Sequence, residues 1–302
     1  MVNRTDMPGT TKKSLFIVVN TKAGRYDEYL VYEYLADLLS RENISGEIYH
    51  FVNQQELAER IKKTKQEHFD LYIAVGGDGM IALLASYLRD WEKPIGIIPA
   101  GTSNTMANIL GIPLDAKLAI QQLIHFGQTK TIDALQIEDR LFFMNVSMGF
   151  SSSVVNELDS TKKSLLGIFA YIFAGLLRLP KTTQHTFSVE IDGRRQQVKA
   201  AELFVVNSGV LGRSQYTVSD SKIDDGVLEA GIVREASIRG IVDVVDILVR
   251  KRKKGFQLIG QGKHITVLTE KPLKVQADGD IIGETPLTIE VIPRAATFVI
   301  PA

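Results

Sequence analysis

The chain has 302 residues, 45% of them hydrophobic and 23% charged, and its 35 basic and 35 acidic side chains give a formal net charge of zero. That length fits about two globular domains, and the balanced charge gives no bulk attraction to nucleic acid or to an anionic membrane. Cysteine is absent, which excludes disulfides, thiolate metal sites and cysteine nucleophiles and accords with a reducing cytoplasm.

Residues 1–11 are polar and hold no apolar signal segment. Residues 14–20 form an apolar run rich in valine and isoleucine, the pattern of a buried strand. Helical spacing covers 29–39, and 46–51 reads as a strand. Asn53 followed by Glu56 has the form of a helix N-cap with its reciprocal partner. Residues 71–75 and 95–98 are two more buried strands, and 80–88 suit a helix. Short apolar strands alternating with helices predict a parallel sheet with crossover helices. Ligands of such sheets bind at the carboxyl ends of the strands.

After residue 134 the rhythm changes. Residues 141–146, 186–191, 202–207, 227–233, 265–269, 273–277 and 287–292 read as strands, and Asp192-Gly193 is a strong hairpin signal. Helical patterns cover 163–178 and 237–253. We expect an α/β domain over 13–134 and a mainly antiparallel β-sandwich over 135–294. Whether 295–302 returns to the first domain is a question periodicity leaves open.

Three polar, glycine-bearing loops fall at strand ends. Gly76-Gly77-Asp78-Gly79 lies between a strand and a helix, an arrangement that aims backbone N–H groups and the positive helix end at a phosphate. A carboxylate among phosphates, here Asp78, calls for a bridging cation. A tight turn with no ligand explains the glycines of this loop equally well. Pro99-Ala100-Gly101-Thr102-Ser103-Asn104 repeats the logic with hydroxyls and an amide, and Asn20 to Gly24 ends the first strand similarly.

In order along residues 15–301, these features resemble the diacylglycerol kinase catalytic-domain family of lipid kinases, which includes bacterial diacylglycerol kinases and sphingosine kinases. Asn20-Thr21-Lys22-Ala23-Gly24 resembles the family's first nucleotide loop, and the two later loops match its next two motifs. Gly167-Ile168-Phe169-Ala170-Tyr171 resembles the helix over its acyl site. Lys222-Ile223-Asp224-Asp225-Gly226-Val227-Leu228 resembles its metal-binding turn, and Asp278-Gly279-Asp280 its terminal Asp-Gly-Glu. The resemblance implies an NAD kinase-like α/β domain that binds nucleotide and a β-sandwich that receives lipid, with the active site in the interdomain cleft. It implies transfer of the ATP γ-phosphate to a lipid hydroxyl with Mg2+, by default diacylglycerol to phosphatidic acid. It also implies transient contact with the inner face of the membrane and, as often in the family, a homodimer.

The same resemblance assigns residues. Asn20, Thr21, Lys22, Ala23, Gly24, Gly76, Gly77, Asp78, Gly79, Met80, Gly101, Thr102 and Asn104 would surround the nucleotide. The amides of Gly24, Gly77, Gly79 and Gly101 would hold phosphates. Asp78 with Asp133 would organise magnesium, and Asp280 would take the proton of the attacking hydroxyl. Asp225, with main-chain oxygens of Lys222 and Val227, would form a second, structural magnesium site.

The chain departs from the family pattern in several places. Met80, Ala82, Leu83 and Thr105 stand where the family usually has Thr, Asn, Glu and Asp. Val52 replaces a frequent Thr, and Asp280 is one methylene shorter than the expected Glu. A working lipid kinase with a rearranged metal shell is the favoured reading. A weak or inactive nucleotide- or lipid-binding relative is the alternative, and a sphingoid base, monoacylglycerol or phosphatidylglycerol is a further acceptor. The run Arg250-Lys251-Arg252-Lys253-Lys254 suits a solvated helix end as well as an anionic lipid surface. The apolar stretch 165–177 suits a buried helix or an acyl-pocket wall and is short of the roughly 20 residues that span a bilayer. The histidines at 50, 68, 125, 185 and 264 lack a metal-ligand spacing and receive no chemistry.

Overall fold

In the computed structural model, which describes residues 13–24, 27, 29–124, 128–149, 184–207, 222–234 and 256–301, the first half builds parallel strands. β1 (Ser14–Val19), β2 (Ser45–His50), β3 (Leu71–Gly76) and β4 (Ile95–Pro99) lie in the order β2-β1-β3-β4. Every residue of β3 is buried, because crossover helices cover both faces of a parallel sheet. A π-helical run, Leu30–Leu35, continues into α1 (Ala36–Arg41). α2 (Gln54–Glu67) starts as its sequence predicts: Asn53 accepts from Glu56 N at 2.9 Å and donates back to Glu56 Oε1 at 2.6 Å. α3 (Asp78–Leu88), α4 (Thr105–Ile109) and α5 (Ala116–Ile124) follow.

The second half contributes β5 (Gln128–Ile137), β6 (Arg140–Phe142), β7 (Asn145–Gly149), β8 (His185–Ile191), β9 (Arg194–Ala200), β10 (Glu202–Val206), β11 (Leu228–Val233), β12 (Phe256–Gly262), β13 (His264–Thr269), β14 (Lys274–Ala277), β15 (Asp280–Glu284) and β16 (Leu287–Ile300). β12-β11-β10-β7-β14-β15 form one antiparallel sheet. β16, β13, β8 and β9 face it across a core that includes Val146, Met148, Leu203, Ile265 and Ile289. The expected two-part architecture is therefore present. The strands β13, β8 and β9 belong to the same ten-stranded sheet as the parallel strands. The link is β16, which pairs antiparallel with β13 and β5 and reaches β4 in parallel at Phe298.

Some expectations need revision. Residues 141–146 are two strands, β6 and β7. The chain bends between them because the N–H groups of Phe143, Met144 and Asn145 turn to Asp278. β9, with sequence Arg-Arg-Gln-Gln-Val-Lys-Ala, is polar and mostly solvent-facing, so it carries no hydrophobic alternation to read. β5, β12 and β15 were also not expected as strands. The patterns at 163–178 and 237–253, the basic run 250–254, the stretch 165–177 and His125 lie outside the described residues. Among the described residues no helix is long and apolar enough to cross a membrane.

Candidate active site

The three glycine loops converge at the ends of β1, β3 and β4. Asn20 N donates to Val75 O at 3.0 Å, and Ala100 N to Gly76 O at 2.9 Å, which lays the loops side by side. A Cβ on Gly101 would lie 2.4 Å from Gly77 Cα, so the second and third loops touch through bare backbone. A Cβ on Gly24 would reach Thr102 Oγ1 at 3.4 Å, an ordinary contact. Asn104 is left-handed, with φ 49°, and its side chain folds back on the loop. Its Oδ1 accepts from Gly101 N and its Nδ2 donates to Gly101 O, both at 2.9 Å. The Gly101 amide, one of the groups assigned to phosphate, is therefore engaged within its own loop.

A cavity of about 560 Å³ separates these loops from the second half of the chain. Asn20, Gly24, Gly77, Gly79 and Thr102 line one side, and Ala277, Asp278 and Asp280 the other. Met80, Leu83 and Tyr87 of α3 extend it, with Phe51, Leu141 and Phe142. The residues at 80, 82 and 83, where the family usually has polar groups, do face this cavity, and their side chains make that wall apolar.

Asp280 is the exposed first residue of β15, and its Oδ2 lies 3.4 Å from where a Cβ on Gly79 would stand. A carboxylate of the second half thus rests against the glycine loop of the first. It is delivered by the hairpin Asp278-Gly279, whose φ angles of 47° and 101° are those of a two-residue turn between β14 and β15. This is the Asp-Gly signal already read at 192–193, where φ is 46° and 81°. The same signal marks the hairpin at 278–279.

The other assigned carboxylates are turned toward backbone. Asp78 accepts from Thr105 N at 3.1 Å and Met106 N at 2.9 Å, so it caps α4 and does not line the cavity. Its burial raises its pKa, while these hydrogen bonds pull it down. Asp133 is 1% exposed and accepts from Gly226 N at 2.6 Å and Arg294 N at 2.7 Å, tying β5 to the 222–227 turn and to β16. Asp225 accepts from Lys222 N at 2.8 Å and Val227 N at 3.1 Å within that turn. Among the described residues no group of three or more His, Cys, Asp or Glu is arranged to hold a metal. Asp78, Asp133 and Asp225 each accept an N–H donor on both oxygens, so a magnesium ion held by them would share those oxygens with the backbone.

Asp278, which the resemblance places in the terminal motif, is held by three successive backbone amides. It accepts from Phe143 N at 2.7 Å and from Met144 N and Asn145 N at 3.0 Å each. Burial nevertheless pushes its pKa up to about 6, helped by the nearby charge of Asp78. Asp192 likewise accepts backbone N–H groups, of Lys263 and His264, but it is exposed and its pKa is lowered. Burial is the largest difference between the two, and neighbouring charges add to it: Asp78 raises one, His264 and Lys263 lower the other. The folded state therefore holds a proton on Asp278 that the unfolded chain releases near its ordinary value of 3.8. Stability from this group is fully present at low pH and is lost as pH rises through about 6. In thermal melts from pH 4 to 7.5, wild type is expected to lose stability relative to Asp278→Asn as pH rises, by up to about 1.4 kcal/mol per unit. A gap that stays constant or widens in favour of wild type would contradict this.

Comparison with known proteins follows the same division of the chain. The family model described as diacylglycerol kinase catalytic domain matches residues 14–137. The one described as YegS C-terminal NAD kinase beta sandwich-like domain matches residues 144–300. A Staphylococcus aureus protein named "Putative lipid kinase" is 30% identical over 243 residues, covering 77% of this chain and 78% of that one. An uncharacterized Synechocystis protein is 29% identical over 262 residues, which is 82% of this chain but 59% of that longer protein. The solved structure of a diacylglycerol kinase from Bacillus anthracis superposes with a TM-score of 0.79 at 25% identity, covering 97% of this chain and 98% of that one.

Proposed function

The chain belongs to the diacylglycerol kinase catalytic-domain family, and on that premise we propose that it is an ATP-dependent lipid kinase acting on a lipid hydroxyl, with diacylglycerol as acceptor and phosphatidic acid as product. The observation that carries this reading is the approach of Asp280 to the Gly79 turn at one cavity. Phosphoryl transfer asks for positioning and charge compensation more than for covalent help. The Gly77–Gly79 turn at the start of α3 holds the phosphates of ATP, where helix N–H groups and the helix dipole favour anions. The acceptor oxygen attacks the γ-phosphorus as its proton passes to Asp280, and the bond from phosphorus to the β,γ-bridging oxygen breaks to release ADP. Contact with the inner face of the membrane and self-association belong to the same proposal.

A second reading has its own support. The apolar wall at Met80, Ala82 and Leu83, the engaged Gly101 amide and the amide-bound carboxylates favour a weak or inactive relative that binds nucleotide or lipid. One experiment separates the two. Labelled ATP with magnesium and a total lipid extract is expected to give one labelled phospholipid, identified as phosphatidic acid. ATP binding with no labelled lipid would replace the kinase by the binding protein, and a different labelled lipid would change the acceptor.

A further inference from the structure

The β-sandwich does not close beside β15. A groove of about 510 Å³ remains there between the two sheets, within the roughly 300–1,000 Å³ of small-molecule sites. Ile137, Leu268, Val275, Ile282 and Leu287 give it apolar walls, and Leu268 is 39% exposed. Arg140 and Phe142 line both this groove and the candidate active-site cleft, so the two spaces adjoin. Among the described residues Arg140 is the only cation lining either space. Its guanidinium lies 5.1 Å from the centre of the Phe142 ring, and among the described residues it makes no ion pair.

The geometry points to a second binding site, one that takes a single-chain amphiphile with an anionic head, its chain along the groove and its head on Arg140. An apolar trough open to water is unfavourable when empty, and an acyl chain removes that surface from solvent. A guanidinium at one end, with no ion-pair partner among the described residues, selects a carboxylate or phosphate head. Glu138, in the turn directly before Arg140, and Glu284 also line the groove, and both are exposed to water that screens them. A neutral diacylglycerol offers Arg140 no charge to pair with, so this site lies beyond the acceptor proposed above. It also touches the catalytic apparatus: Ile282, Gly283 and Glu284 of its wall belong to β15, which begins at Asp280 and pairs only with β14 among the described strands. A chain in the groove steadies the strand that carries Asp280.

The test is direct binding to the full chain without ATP, which keeps it separate from the kinase reading. Lysophosphatidic acid, oleate and neutral monoolein are titrated below their micelle concentrations, the first two arms distinguishing a phosphate from a carboxylate head. At least one anionic amphiphile is expected to bind about tenfold or more tighter than monoolein, the scale of one charge-assisted hydrogen bond. Arg140→Gln should remove that preference. Leu268→Trp and Thr288→Trp, which fill the groove from strands outside the cleft, should weaken all three ligands. Amide exchange at Ile281 and Ile282 should slow on binding in wild type and in neither tryptophan variant. Equal affinity of wild type for charged and neutral chains, or tryptophan variants that bind as wild type does, would overturn the site.

Discussion

Asp280→Asn is expected to lower lipid phosphorylation by about a hundredfold or more while leaving ATP affinity within about threefold, since a positioned general base contributes roughly 10²–10⁴. The substitution is nearly isosteric at an exposed position, so the hairpin, β15 and the contact with Gly79 persist. What is lost is the ability to take a proton. Stability should shift by no more than about 0.5 kcal/mol, as for other surface positions. Two measurements suffice, labelled-ATP transfer and ATP calorimetry. Transfer within threefold of wild type would remove Asp280 from the chemistry. Loss of ATP binding along with activity would assign it to nucleotide binding instead.

The second large effect concerns Gly101. An alanine there would place its Cβ 2.4 Å from Gly77 Cα, 3.1 Å from Gly77 N and 2.9 Å from Asn104 Oδ1. The first two are backbone atoms, which cannot swing aside as the end of a flexible side chain can. The second and third loops must part, and the mutual hydrogen bonds of Asn104 with Gly101 must break or lengthen. Overpacking of this kind costs about 1–3 kcal/mol, and misplacing a phosphate loop by an ångström can cost about a hundredfold in rate. Gly101→Ala is therefore expected to lower the melting temperature by several degrees and to weaken ATP binding at least tenfold. Gly24→Ala is the control, because its Cβ would make only an ordinary contact at 3.4 Å. Its melting point should stay near wild type. Similar behaviour of the two variants would show that the Gly77–Gly101 approach is not what shapes the site.

Much of the N-terminal half was legible in sequence, and for a stated reason. β1, β3 and β4 are short apolar runs whose ends carry the glycine loops, and Asn53 with Glu56 is a local capping signal that needs no distant partner. The order of loops and acidic turns was enough to point to the family. Less was legible in the second half. β9 has polar residues on its solvent side, and the bend between β6 and β7 depends on a carboxylate 133 to 135 residues away. Asp78 shows the same limit within the site. Its loop was recognisable, yet its side chain caps a helix whose first amides lie 27 and 28 residues further on.

The sequence alone, through strand and helix periodicity and glycine-bearing turns, determined that this chain pairs parallel strands ending in phosphate-type loops with a strand-rich second half, and which family it resembles. Those signals act over a few residues and survive without knowledge of any neighbour. Only the tertiary structure decided which carboxylates face the cavity and which are consumed by backbone amides, that Asp280 meets Gly79, and that β16 stitches both halves into one sheet. A carboxylate's role depends on the donors and the burial around it, and here those are supplied by segments far apart in the chain.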